Sequence, residues 1–343
     1  VADTISALGL SIPVLAAPMA GGPTTPRLVI AAAEAGGAGV LAGGYKSAEA
    51  LAAQLGEVRA AGVPFGVNLF APNPVPVDPG EYDRYRNALQ PEADRLGVDL
   101  TGIPVTEDDD AWRDKVDLLL ADPVPLATFT FGLPDRAVIR ALRAAGTVTG
   151  QTVTTAAEAE QATAAGVDLL VVQGAAAGGH SGTLSPDRLP VEKPLADLVR
   201  EVAGVTRLPI VAAGGLTRGG DVADVLHAGA VAVMVGTVLL LAGESGASAT
   251  HRAALGQAGP GQTVLTRAFT GRPARALRNA FTDRFTATAP AGYPALHHLT
   301  SPLRKAAAAA GDADRLHLWA GTGYPDATAE PAADILRRLS ARL

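Results

Sequence analysis

Cysteine is absent from the 343 residues, which removes disulfides, thiolate zinc sites and a cysteine nucleophile together. Lysine is scarce. Only Lys46, Lys115, Lys193 and Lys305 occur among 28 basic residues, and none falls inside a predicted strand. That counts against a Schiff-base aldolase, which needs a desolvated barrel lysine. There is no basic surplus either: the formal charge is -6, which argues against a nucleic-acid partner. The longest uncharged apolar stretch, residues 228–243, is interrupted by Gly236-Thr237 and is shorter than the roughly 20 residues of a membrane span. It predicts a strand followed by a helix. No basic segment precedes an apolar run near Asp3, so no secretory signal and no membrane partner are expected, and a cytoplasmic location is the default.

Hydrophobic residues make up 48% of the chain and charged residues 18%, a globular composition. At about 150 residues per domain, the length suggests two domains or one large α/β barrel with an addition. Eight short apolar runs read as strands: residues 12–19, 38–42, 65–70, 126–131, 147–153, 168–173, 209–213 and 231–235. Ala-rich amphipathic stretches between them, nearly all closed by glycine, read as helices. Strands apolar at consecutive positions and separated by single helices predict a parallel sheet covered on its outside. Eight of them predict a closed barrel, with an open doubly wound sheet as the alternative, because periodicity does not report closure. After the third run comes a Pro-rich loop and a polar helix, an excursion from the barrel. From about Gly246 the strand rhythm stops. The expected division is therefore a barrel over 1–245 completed by 319–343, with 246–318 as a smaller, mainly helical second domain or lid.

Two Gly-rich turns, AAGGLTRGGD and MVGT, close the seventh and eighth runs. Phosphate sites of such barrels lie in the loops after strands seven and eight, where backbone N–H groups meet the anion and a side chain would block it. Gly214, Gly215, Gly236 and Thr237 are the candidates. The bland alternative is that these glycines only permit tight turns. GAAAGGHSG follows the sixth run and carries His180 just past a strand end, on the face where barrel active sites are built. Gly178 and Gly179 would let the backbone approach a flat ligand. His227, His251, His297, His298 and His317 show no metal-like spacing, and no metal site is expected. Gly37, Gly39 and Ala42 match G-x-G-x-x-A, but they run from a helix into a strand, the wrong order for a dinucleotide fingerprint. The acidic run 107–110 reads as a helix N-terminus.

Taken in order, AAPMAGGPTTPRL, FGVNLF, QGAAAGGHSG, VAAGGLTRGGDV, VMVGT, TRAFTGRPARALRN and LWAG resemble the nitronate monooxygenase family over about residues 12–321. The resemblance implies an α/β fold, an FMN-binding (β/α)8 TIM barrel with a smaller helical domain. It also implies an enzyme that oxidises alkyl nitronates with O2 to carbonyl compounds and nitrite, its partners being a small nitronate or nitroalkane and O2, with a homodimer admitted. It gives Met19, Ala20, Asn68, Gln173 and Gly178 as flavin contacts. Gly215, Met234, Val235, Gly236 and Thr237 become phosphate contacts, beside Gly214. His180 becomes the catalytic histidine, a base toward nitroalkanes or the group that orients a nitronate. Two departures stand out: Ala176 occupies the position of the family's glutamate, and Met234 that of a common glutamine. The first puts in doubt any carboxylate that would orient His180. No lysine is placed to balance charge on a reduced flavin, which leaves backbone N–H groups, a helix N-terminus or an arginine.

Three rivals share parts of this pattern. An FMN-dependent enoyl-acyl-carrier-protein reductase has a similar G-G-H loop, although FGVNLF and TRAFTGRPARALRN look more like the monooxygenases. A flavin-binding barrel with altered chemistry would fit Ala176. A flavin-free sugar-phosphate enzyme would be colourless.

Overall fold

A computed structural model describes residues 9–341 and 343; the expectation attached to Asp3 lies outside them. Eight strands form a closed parallel barrel: β1 (Val14–Ala16), β2 (Ala38–Ala42), β3 (Phe65–Ala71), β4 (Leu126–Phe131), β5 (Val148–Val153), β6 (Leu169–Gln173), β8 (Ile210–Ala213) and β9 (Ala232–Val235). Closure is made by β1 on β9, with Val14 opposite Val233 and Ala16 opposite Val235. That pairing decides between barrel and open sheet. The fold is an (β/α)8 TIM barrel, as the alternation of runs and helices predicts.

Local sequence explains the alternation. β6 reads LLVVQ and is buried at its first four positions, since it faces the barrel interior on one side and helices on the other. The Pro26–Glu34 helix opens on Thr25, whose hydroxyl accepts the Leu28 N–H, with proline in the first turn. The Ala156–Ala165 helix begins on Thr155 and ends on Gly166 at φ 96°, a left-handed cap. Leu15, Val40, Leu126, Val171 and Met234 fill the barrel interior. The final helix, Ala332–Ser340, packs on the barrel's outside against the helices Pro26–Glu34 and Gly219–His227.

The first strand is shorter than its apolar run, because Thr24 turns the chain back: its hydroxyl accepts the Met19 N–H at 2.8 Å and donates to the Ala17 carbonyl at 2.9 Å. Residues 17–19 are thereby freed to line the barrel mouth. Above the barrel, the helices Ala249–Gln257, Ala280–Phe285 and Ala295–Ala309 dominate residues 246–318. They are joined by an antiparallel pair, β10 (Thr263–Thr266) and β11 (Ala274–Leu277), to which the two-residue strand β7 (Gly179–His180) adds. This three-stranded sheet was not foreseen. Its strands have two to four residues, too few for a periodicity to register. The excursion after β3 returns as the Pro79–Leu96 helix, whose Tyr82, Tyr85 and Leu89 share a core with Phe269, Phe285 and Leu299.

No helix among the described residues is long and apolar enough to cross a membrane.

Candidate active site

The C-terminal ends of the barrel strands open into a cavity of about 300 Å³, roofed by residues from the upper layer. Met19, Ala20, Asn68, Gln173, Gly178, His180, Gly214, Gly215, Met234, Val235, Gly236 and Thr237 all lie on its wall. Sequence-distant candidates are thus brought to one surface, and no Asp, Glu, Lys or Arg among the described residues lines it.

One end is a cradle of backbone. Gly214 and Gly215 have φ of 109° and 76°, the left-handed region that favours glycine. A Cβ on Gly215 would stand 2.9 Å from the Ala176 methyl. The backbone N–H groups of Gly214, Gly215, Gly236 and Thr237 donate to no backbone acceptor among the described residues. Uncommitted N–H groups and missing side chains fit a phosphate. The Thr237 hydroxyl is already engaged, accepting the Gly321 N–H at 2.9 Å.

The middle of the cavity is polar. Asn68 is buried, and its amide nitrogen donates to the Thr128 and Thr130 hydroxyls at 2.9 Å each, which leaves Oδ1 as its unused acceptor. Gln173 is a strut for the histidine loop: Nε2 donates to the His180 carbonyl at 3.2 Å, and Oε1 accepts the Gly182 N–H at 2.7 Å. Gly178 has no room for a side chain, since a Cβ would come within 2.4 Å of the Gly321 nitrogen. Its close approach is to the chain's own loop, and it also lies on the cavity wall.

His180 is fixed from several sides by the segment 270–275. Ala274 of β11 pairs with it, and the Ser181 N–H donates to the Pro273 carbonyl at 2.8 Å. The imidazole Nε2 lies 2.9 Å from the Thr270 hydroxyl. Arg272 is fully buried, donates to the Ser181 and Thr183 carbonyls and stacks 4.0 Å over Phe131. Arg275 donates to the Ala175 carbonyl at 2.8 Å. No carboxylate among the described residues touches the imidazole; Thr270 stands where an orienting acid had been in doubt. Burial, then the cations Arg272 and Arg304, push the His180 pKa down to about 3. Neither arginine has an acidic partner among the described ion pairs, and burial lowers each to about 10. His180 is therefore neutral at ordinary pH, in a field that favours a bound anion.

Thr270, Arg272 and Arg304 were missed as site residues. The TRAFTGRPARALRN segment had been singled out, but nothing in sequence reports that a residue 90 positions from His180 meets its ring. Three of the other five histidines are closer to the site than their spacing suggested. His251 and His317 are on the cavity wall, and His297 stacks on Tyr45 with ring centroids 4.5 Å apart. No group of three or more metal-ligating side chains occurs among the described residues. The acidic run 107–110 precedes the Trp112–Ala121 helix but does not cap it: Asp110 binds the Tyr45 N–H and pairs with buried Lys115, while Asp108 meets His298.

The family model for nitronate monooxygenase matches residues 4–341. The chain belongs to that family. A probable nitronate monooxygenase of Staphylococcus aureus (strain Newman) is 33% identical over 97% of this chain and 94% of its own length. Among solved structures, nitroalkane oxidase from Streptomyces ansochromogenes superposes with a TM-score of 0.93 at 46% identity, covering 98% of this chain and 97% of that one. FabK from Thermotoga maritima superposes with a TM-score of 0.76 at 25% identity, covering 98% and 94%. This member of the nitronate monooxygenase family is an oxidoreductase of a flavin-dependent group.

Proposed function

We propose that the protein binds FMN and oxidises alkyl nitronates, and more slowly nitroalkanes, with O2 to carbonyl compounds and nitrite. The observation that carries this is electrostatic. A neutral His180 sits in a cavity that no described acidic residue lines, beside two buried arginines that form no ion pair among the described residues. Such a site gains most from an anion, which a nitronate is and an enoyl thioester is not.

Gly214, Gly215, Met234, Val235, Gly236 and Thr237 would hold the FMN phosphate end. Met19, Ala20, Asn68, Gln173 and Gly178 would line its ring, with Asn68 Oδ1 free to accept a ring N–H. Bound there, FMN supplies the redox chemistry that no side chain of this protein has. His180 then orients the nitronate by a hydrogen bond from its neutral ring, or takes the α-proton of a nitroalkane. The reading includes a barrel over 1–245 and 319–343 with 246–318 as its cover, a homodimer and cytoplasmic residence.

The test is a visible spectrum of purified protein, followed by oxygen uptake with ethyl nitronate and, separately, NADH and NADPH oxidation. A yellow protein that consumes oxygen with nitronate and without reduced nicotinamide is the expected result. Nicotinamide oxidation without nitronate turnover would transfer the protein to the reductases, and a colourless protein that cannot be reconstituted with FMN would refute the flavin assignment.

A further inference from the structure

An aromatic wall leads outward from His180. The Phe131 ring lies 5.6 Å from the imidazole, Phe70 lies 4.3 Å from Phe131, and Tyr45 lies 5.3 Å from Phe70. All three line the cavity. Phe131 is 1% exposed and Tyr45 37%, so the wall runs from the interior to the mouth. Tyr45 ends it by stacking flat on His297, with an interplanar angle of 2°.

This wall is held under strain. Among the described residues, the non-glycine positions with left-handed φ are Tyr45 (64°), Asp110 (59°), Ala111 (52°) and Phe131 (81°). Each such residue costs about 1–2 kcal/mol and persists only where its surroundings over-determine it. Two belong to the wall. A third, Asp110, is the latch of Tyr45: its Oδ1 accepts the Tyr45 N–H at 2.8 Å, and its Oδ2 pairs at 2.7 Å with Lys115, which is 1% exposed. Gly44 completes the fit, since a Cβ there would stand 2.3 Å from the Phe70 ring. Backbone strain and a buried ion pair are thus committed to presenting apolar ring surface beside the acting histidine.

We propose that the Phe131, Phe70 and Tyr45 wall is the subsite for the alkyl or aryl substituent of the substrate, with Tyr45 as its end stop. The assignment rests on the nitronate reading of the same site. The reacting carbon lies by His180 and its substituent extends along the rings, where it buries its apolar surface.

The test is oxygen uptake by the holoenzyme with ethyl, propyl, butyl, pentyl and hexyl nitronates. Each buried methylene is expected to raise kcat/KM about fourfold, the equivalent of about 0.8 kcal/mol, until the chain meets Tyr45 and the series levels off. Tyr45→Ala should move the levelling point to longer chains, and Tyr45→Phe, which keeps the ring, should not. A flat series, or an unmoved levelling point in Tyr45→Ala, would overturn the subsite. Failure of the unaltered enzyme to turn over any nitronate would instead remove the parent reading, and this assignment with it.

Discussion

Replacement of Gly215 by valine is expected to expel the flavin, and the structure sets the scale. At φ 76° an L-residue pays about 1–2 kcal/mol for the left-handed backbone, and a β-branched one sits at the upper end. Its Cβ would also stand 2.9 Å from the Ala176 methyl, so either that methyl or the turn must move. A displaced turn carries its N–H away from the phosphate, and a lost hydrogen bond to a charged group is worth about 1.5–3 kcal/mol. Together these give about 3.5–5 kcal/mol, or roughly 10²- to 10⁴-fold weaker FMN binding. The assay is removal of flavin, then titration of FMN into the stripped protein while flavin fluorescence is followed. Gly56→Ala serves as control, since a Cβ there meets nothing within 4 Å. Equal FMN affinity in Gly215→Val and the unaltered protein would show that the phosphate lies elsewhere.

Three further outcomes are expected. His180→Ala should retain its flavin yet lose about 10²-fold in turnover, the ordinary scale for acid–base groups; full activity by oxygen uptake would remove His180 from the mechanism. Thr270→Val should lower kcat at least about tenfold through loss of the imidazole's partner, worth about 1–3 kcal/mol, and Thr270→Ser should restore it; a serine variant as impaired as the valine one would count against ring positioning. Acid should destabilise the fold as the pH falls through 6.5: burial holds His180 near 3 and His251 near 4, below the ordinary 6.5, so the unfolded chain binds protons first. Stability is then complete above pH 6.5 and falls by about 2 kcal/mol per imidazole by pH 5, and an unchanged urea midpoint between pH 7 and pH 5 would refute it.

Much of the barrel was legible because its signals are local. A strand covered on both faces must be apolar at successive positions, so β2 and β4 coincide with their predicted runs residue for residue. Glycine at 166, and the paired glycines at 214 and 215, announce left-handed backbone that few other residues adopt. The upper layer was not legible in that way. β7, β10 and β11 pair residues far apart in sequence over two to four positions, and Thr270 and Arg272 reach the histidine loop from about 90 residues away. The acidic run 107–110 reads as a helix N-terminus and does stand just before the Trp112–Ala121 helix, whereas the partners of its side chains, Tyr45, Lys115 and His298, are set by packing.

The sequence by itself determined the alternation of strands and helices, the strand ends at which the glycine turns and His180 stand, and the family resemblance borne by motifs in order. Each of these depends on a residue and its near neighbours. Tertiary structure alone decided that β1 closes on β9, that a threonine and not a carboxylate partners the imidazole, and that two arginines lie buried beside it without an ion-pair partner among the described residues. Those properties depend on which distant surfaces exclude water together. Burial turns an ordinary histidine, expected to titrate near neutrality, into one that stays uncharged far below it.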